Sequence, residues 1–269
     1  MNFVRHYLLA LQFFTRVPVT GRLAAWVGYS PAMLRKSAAH FPGVGWLVGL
    51  AAALVHGALL LGLPATAHAP LVAAVFSTAF TVLLTGAFHE DGLADLADGL
   101  GGSQDRERAL DIMKDSRVGA FGVLALVLAL MGKVALLALL GTASVTLVCA
   151  ALFFTHVLSR FLPLGLIRLL PHVGDTARSK SKPLADQISG TSLAVALLWT
   201  GAAVALVVCW LPGAHWVGAV LAAVLAWLWM WRLLARRLQG YTGDGLGATQ
   251  QVCEIACYLG LALSLNLRP

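Results

Sequence analysis

Eight of the twelve acidic residues in this 269-residue chain lie between Glu90 and Asp115. They belong to a stretch that reads TGAFHEDGLADLADGLGGSQDRERALDIMKDSRVGAFG from Thr85 to Gly122. Asp91, Asp95 and Asp98 recur at i, i+4 and i+7, which on a helix places them within about 60° of one another. No lysine or arginine stands between Lys36 and Arg106 to neutralise them. Three carboxylates on one face repel each other unless a cation shares them. An oxygen-only donor set with no adjacent thiolate suits a hard ion, Mg²⁺ or Mn²⁺. Because Mg²⁺ is usually held by a few carboxylates together with substrate phosphates, the expected substrate is phosphorylated and the expected chemistry is displacement at phosphorus.

The second half of the stretch, DRERALDIMKDSR, predicts a short helix capped by Ser103 with Asp105 and Glu107 in its first turn. That helix places Asp111 and Asp115 one turn apart. Gly99, Gly101 and Gly102 are expected to form a turn that folds the two helices antiparallel and brings both carboxylate faces together. Asp105 and Glu107, beside Arg106 and Arg108, read as solvated charges, where i, i+3 pairs contribute only a few tenths of a kcal/mol.

The elements around this stretch are nearly continuous hydrocarbon. Apolar residues make up 59% of the chain and charged ones 12%, whereas about a quarter of residues are charged in a soluble domain. The expected fold is all-α: a single domain over residues 1–269, a polytopic transmembrane helix bundle with about seven spans. These are Phe41–Leu63, Pro70–Phe88, Gly119–Leu140, Ala143–Leu170 with a kink at Pro163, Thr191–Leu211, His215–Trp231 and Gln251–Leu267. Residues 2–17 are too short and too broken by Arg5, His6, Gln12 and Arg16 to span, and predict an amphipathic helix lying at the interface and stopped by Pro18. That run contains no A-x-A-type site, which argues against a cleaved signal peptide. Residues 19–40 read as a polar connector carrying Arg22, Arg35 and Lys36.

The N-terminal arm and the loops 89–118, 171–190 and 232–250 hold 15 of the 19 lysines and arginines. The loops near 64–69, 141–142 and 212–214 hold no charged residue. The positive-inside rule therefore places the N-terminus and the three long loops in the cytoplasm. The net charge of +7 reads as membrane topology, not as nucleic-acid binding. Cys149, Cys209, Cys253 and Cys257 all fall in apolar runs at spacings that fit no zinc or redox motif, and read as small buried hydrophobes.

FHEDGLADLADG followed by IMKDSRVGAFG resembles the adenosylcobinamide-GDP ribazoletransferases, or cobalamin synthases. QFFTRVPV, FPGVGWLVG and YTGDGLGATQQVCE are similar to that family in the same order, so the resemblance covers nearly the whole chain. It implies a Mg²⁺-dependent enzyme of the bacterial inner membrane that joins adenosylcobinamide-GDP to α-ribazole or its 5′-phosphate and releases GMP. On that reading Asp91, Asp95, Asp98 and Asp115 hold metal, with Asp111 a further candidate. Lys114 and Arg117 hold phosphate oxygens. His89 orients or deprotonates the attacking hydroxyl, with a plain surface histidine as the alternative. The motifs D-x-x-D-G at Asp95–Gly99 and D-x-x-x-D at Asp111–Asp115 also resemble the CDP-alcohol phosphotransferase signature, but with a shorter spacer and no Ala-Arg after the glycine.

Other polar residues sit where lipid or an active-site wall is expected. Lys133 and Arg160 fall inside spans, where ionisable groups usually face the bundle interior and mark a site. Arg168, nearer a helix end, suits snorkelling. Asp244 in TGDGLG and Glu254 in the last span predict a second wall of the pocket, and Arg16 in TRVP is placed facing it. Arg178, Lys180 and Lys182 in the loop 170–187 suit phosphate or anionic lipid. Trp210, Trp216, Trp227, Trp229 and Trp231 read as interfacial anchors. Membrane lipid is an expected partner, and a homo-oligomer is left open. Two other readings remain: a lipid-directed CDP-alcohol transferase, and a cation or metabolite transporter, whose carboxylates belong near the bilayer midplane.

Overall fold

A computed structural model describes residues 2–173, 188–213 and 215–265. The loop basic residues Arg178, Lys180 and Lys182 lie outside the described residues. Among those described the only regular structure is helical, apart from one isolated bridge between His172 and Tyr241.

Helix α1 (Asn2–Phe14) buries Leu9, Ala10, Leu11 and Phe14 and exposes Phe3 and Val4, as an interfacial amphipathic helix should. Pro18 follows. The connector is more ordered than its polarity suggests: it holds α2 (Gly21–Val27) and α3 (Pro31–Ser37), the latter capped by Ser30 Oγ, which accepts from Met33 N at 3.2 Å. A single 3₁₀ turn, Ala38–His40, leads into α4 (Phe41–Gly62). Next come α5 (Ala69–Thr85) and α6 (Phe88–Gly102), which meet at 89°. Gly86 and Ala87 make the elbow, both in the left-handed region at φ 66° and 57°. A side chain at Gly86 would be strained by that φ and would have to displace the Arg16 guanidinium lying over it, so glycine is favoured there.

The short α7 (Arg106–Ile112) is capped by Asp105, whose carboxylate accepts from Arg108 N at 2.8 Å. Ser103 sits one step earlier, accepting from Asp105 N at 3.1 Å, so the expected Ser103 cap is displaced by a better acceptor with a dipole-matched charge. The glycines 99, 101 and 102 do not form the turn. They lie inside α6 and give room for Met113 and Phe121 to pack closely.

The remaining helices are α8 (Ala120–Ala143), α9 (Val145–Phe161), α10 (Pro163–Leu169), α11 (Gly190–Trp210), α12 (His215–Arg237) and α13 (Gly243–Ser264). The α9–α10 break falls at Leu162–Pro163, where the kink was expected. Helices α9 and α13 form the centre. The first is buried almost without interruption from Leu147 to Arg160 and packs on α4, α8, α11 and α13. The second packs on α12, α6, α9 and α8.

Among the described residues five helical stretches are long and apolar enough to cross a membrane: Pro31–Gly62, Ala120–Ala143, Val145–Leu169, Gly190–Trp210 and His215–Arg237. The bent pair α5 and α6 makes a sixth when taken together. The seventh expected span is the helix α13, but it starts earlier than expected, at Gly243, and its polar first half keeps it out of this set. We take α5 as the crossing half of the bent pair; α6, with four carboxylates in its sequence, is its turned-away arm.

Candidate active site

Helix α6 presents its acidic face to the start of α13, and glycine sets the approach. Gly92 and Gly247 replace side chains that would otherwise separate the two helices. Asp244, in the first turn of α13, therefore joins Asp91 and Asp95 of α6. Burial, and then the charges of Asp244, Asp91 and Asp98, push the Asp95 carboxyl up to about 7. Burial and Asp91 push Asp244 up to about 6. The side chains of Asp91, Asp95 and Asp244 make no ion pair with a described residue. Arg106 and Arg237 clamp the other end of α6: Arg106 Nε donates to Leu238 O at 2.7 Å, and Arg237 Nη2 to Leu100 O at 3.1 Å and Ser103 O at 2.6 Å.

Asp98 belongs to the same acidic face but serves another purpose. Its two oxygens accept from Gly119 N at 2.7 Å and Gly122 N at 2.8 Å, capping α8. Gly119 and Gly122 leave the carboxylate room, because a Cβ at either would strike it. Asp111 and Asp115 do not fold back onto α6. Asp111, exposed, lies 3.5 Å from Lys114. Asp115 accepts from Arg117 at 2.6 Å, and those hydrogen bonds hold it down at about 2. Lys114 and Arg117, expected on phosphate, thus stand with these carboxylates on an exposed flank.

Among the described residues no three His, Cys, Asp or Glu stand close enough to hold a metal ion as placed. The donor chemistry of Asp91, Asp95 and Asp244 nevertheless fits a hard cation. All three are carboxylates, and burial together with the neighbouring charges raises the cost of ionising Asp95 and Asp244, which a divalent ion would relieve.

Behind this face lies a fully buried polar network. Lys133 Nζ meets Glu254 Oε1 at 2.6 Å, with the two side chains 2% and 1% exposed. Glu254 also accepts from Gln250 Nε2 at 2.7 Å, and Gln251 Nε2 bridges Gln250 Oε1 and Glu90 Oε1, both at 3.0 Å. Arg160 Nη1 lies 3.0 Å from both His156 Nδ1 and His156 O. Lys133 and Glu254, each expected at substrate, are therefore matched to one another, since two opposite charges in this interior are tolerable mainly as a pair. Through Gln250, Gln251 and Glu90 that pair ties α8 and α13 to the residue preceding Asp91.

His89 is not a surface residue. It is 1% exposed, its ring stacks on Phe41 at 5.6 Å and 11°, and its Nε2 has no partner. It lines a tight apolar cleft, partly open, with Phe14, Phe41, Ala38, Ile167 and Gly243 among the walls. Arg16 lies over the α5–α6 elbow, its guanidinium against Gly86 and its backbone N donating to Leu84 O at 2.7 Å. Sequence reading passed over Glu90, Gln250, Gln251 and His156. The adjacent amides in ATQQVCE, one turn before an acidic residue in a helix that ends apolar, were the available signal.

A family model described as cobalamin-5-phosphate synthase matches residues 6–262. The chain is 65% identical over 277 aligned positions to an adenosylcobinamide-GDP ribazoletransferase of a Polaromonas species, covering 98% of each. It is 49% identical to the protein of that name from Leptothrix cholodnii, covering 95% of this chain and 94% of the relative. With that of Vibrio cholerae the identity is 43%, covering 97% and 94%. No solved structure gave a significant match. The four motifs similar to this family lie within the matched span, and the chain belongs to the cobalamin-5-phosphate synthase family.

Proposed function

We propose that this protein transfers the phosphocobinamide part of adenosylcobinamide-GDP to α-ribazole 5′-phosphate, releasing GMP, at the cytoplasmic face of the bacterial inner membrane. The ribose hydroxyl of the acceptor attacks the phosphorus attached to cobinamide. The bond from that phosphorus to the GMP oxygen breaks, the electron pair leaves with GMP, and the hydroxyl proton is given up. The observation that carries this reading is the acidic face shared by Asp91, Asp95 and Asp244 beside a cleft, in a chain that matches the family over residues 6–262.

Asp91, Asp95 and Asp244 are the residues that would hold Mg²⁺, with Mn²⁺ as a substitute. When bound, such an ion neutralises pyrophosphate charge and orients it for in-line displacement. The protein's own part is mostly positioning. The Gly92 contact holds Asp244 against α6, and the buried network fixes the residue before Asp91. Arg16, over the α5–α6 elbow, would supply the partner for a phosphate oxygen of the donor. His89 Nε2 is available to accept the hydroxyl proton or to orient the hydroxyl. Asp244 sits in the first turn of α13 and Asp91 and Asp95 on α6, the bent arm after α5, a helix-end setting that favours this reading over a transport pathway at the midplane.

The test uses purified protein in lipid nanodiscs with Mg²⁺, adenosylcobinamide-GDP and α-ribazole 5′-phosphate, following GMP and corrinoid product together. Stoichiometric release of GMP with product is expected. Folded protein that turns over a CDP-alcohol instead would move the assignment to the lipid-directed reaction.

A further inference from the structure

A second cavity lies beyond the apolar cleft. It is open to solvent and is lined by Arg35 and Lys36 of α3, Arg168 of α10, and Ser189 and Ser192 at the start of α11. Among the described residues that line it none is acidic. None of the three cations makes a hydrogen bond or ion pair with a described residue. Three unpaired cations and two hydroxyls around one cavity form an environment for a dianion.

Its place relative to the acidic face follows from shared walls. The apolar cleft is bounded at one end by Gly243 and His89, neighbours of Asp244 and Asp91. It also reaches Ala38, two residues beyond Lys36, and Ile167, which immediately precedes Arg168. The apolar cleft is thus walled by sequence neighbours of the acidic residues and by sequence neighbours of Lys36 and Arg168. A nucleotide-like acceptor carries its reacting hydroxyl and its unconsumed phosphate on one ribose, so its phosphate needs cations close to the acidic face but not on it.

We propose that Arg35, Lys36 and Arg168 form the site for the unreacted 5′-phosphate of the acceptor. This rests on the transfer reaction proposed above and adds which residues select a phosphorylated acceptor over a free one. The shared chemistry is recognition of a phosphate group, which an anionic lipid headgroup would also present at this depth.

The experiment compares the wild type with Arg35→Gln, Lys36→Gln and Arg168→Gln in nanodiscs of phosphatidylcholine, with and without phosphatidylglycerol. GMP release is measured with saturating adenosylcobinamide-GDP and either α-ribazole 5′-phosphate or α-ribazole. Loss of one charge-assisted contact is expected to raise KM for the phosphorylated acceptor about tenfold, with kcat little changed and KM for α-ribazole unaltered. Inorganic phosphate should compete with the phosphorylated acceptor in the wild type and lose potency in the variants. Equal KM changes for both acceptors, or none for either, overturn the site. So does an effect confined to discs containing phosphatidylglycerol, which would assign these cations to lipid. Wild-type protein inactive with both acceptors would instead refute the transfer reaction itself and this site with it.

Discussion

Gly92 of α6 rests against the backbone of Asp244: a Cβ at residue 92 would lie 2.8 Å from the Asp244 carbonyl oxygen and 3.0 Å from its Cα. Both are backbone atoms, so neither can swing aside. Gly92→Ala must push α6 off α13 or strain both. Overpacking of this kind costs about 1–3 kcal/mol, and it falls on a contact that brings Asp244 to Asp91 and Asp95. We expect at least a tenfold loss of turnover, with a lowered unfolding midpoint by thermal melting. Unchanged kcat/KM would show that the α6–α13 distance does not matter to the reaction.

The acidic residues divide by what they touch. Asp91→Asn, Asp95→Asn and Asp244→Asn are expected to reduce turnover at least a hundredfold without lowering the unfolding midpoint, since each removes a repelling charge. Asp98→Asn should behave in the opposite sense, costing about 1 kcal/mol of stability through the weakened α8 cap. Asp111→Asn and Asp115→Asn, on the exposed flank, should leave turnover within about threefold. Thermal melts and GMP release on the same preparations separate the three groups, and a catalytic defect at Asp111 as deep as that at Asp95 would contradict the division.

How much of this was legible in the sequence follows from the range of each interaction. Period and apolarity are local, so the bundle, the interfacial α1 and the break at Pro163 could be read directly. The i, i+4, i+7 pattern likewise placed Asp91, Asp95 and Asp98 on one face. It could not show that Asp98 turns to the Gly119 and Gly122 amides, because that contact is made across 21 and 24 residues. Asp244 was read as a wall of the site, but its approach to Gly92 depends on packing between α6 and α13. Lys133 looked like a ligand residue because a charge inside a span implies a site, and Glu254 because it falls in the first turn of the expected last span, at the edge of the site. Their partners were each other, 121 positions apart, and only the fold brings them together.

That pair leads to a third expectation. Removing one member of a buried ion pair leaves an uncompensated charge, at a cost of about 3–5 kcal/mol. Lys133→Met and Glu254→Gln should each lower the unfolding midpoint sharply and reduce folded yield from membranes. Lys133→Met combined with Glu254→Gln should recover most of that loss, because no net charge then remains buried. A double variant as unstable as the sum of the single ones would mean that the two residues are not coupled.

The acidic face should also make divalent-ion binding depend on pH. Asp95 and Asp244 are held up at about 7 and about 6 in the metal-free protein, against about 4 in the unfolded chain. Between those values the folded state binds more protons than the unfolded one, so metal-free stability falls as pH rises from about 4 towards 7. A divalent ion needs the ionised forms and must displace whatever protons remain. Mg²⁺ affinity is therefore expected to weaken as pH drops below 7, and binding at pH 7 should release a measurable fraction of a proton per ion. By pH 8.5 that release should vanish. Titration calorimetry in two buffers of different ionisation enthalpy reads the proton count directly, and melting curves with and without Mg²⁺ read the stability. Asp95→Asn should abolish most of the release near neutral pH, whereas Asp115→Asn, altering a carboxylate already ionised far below that range, should leave it intact.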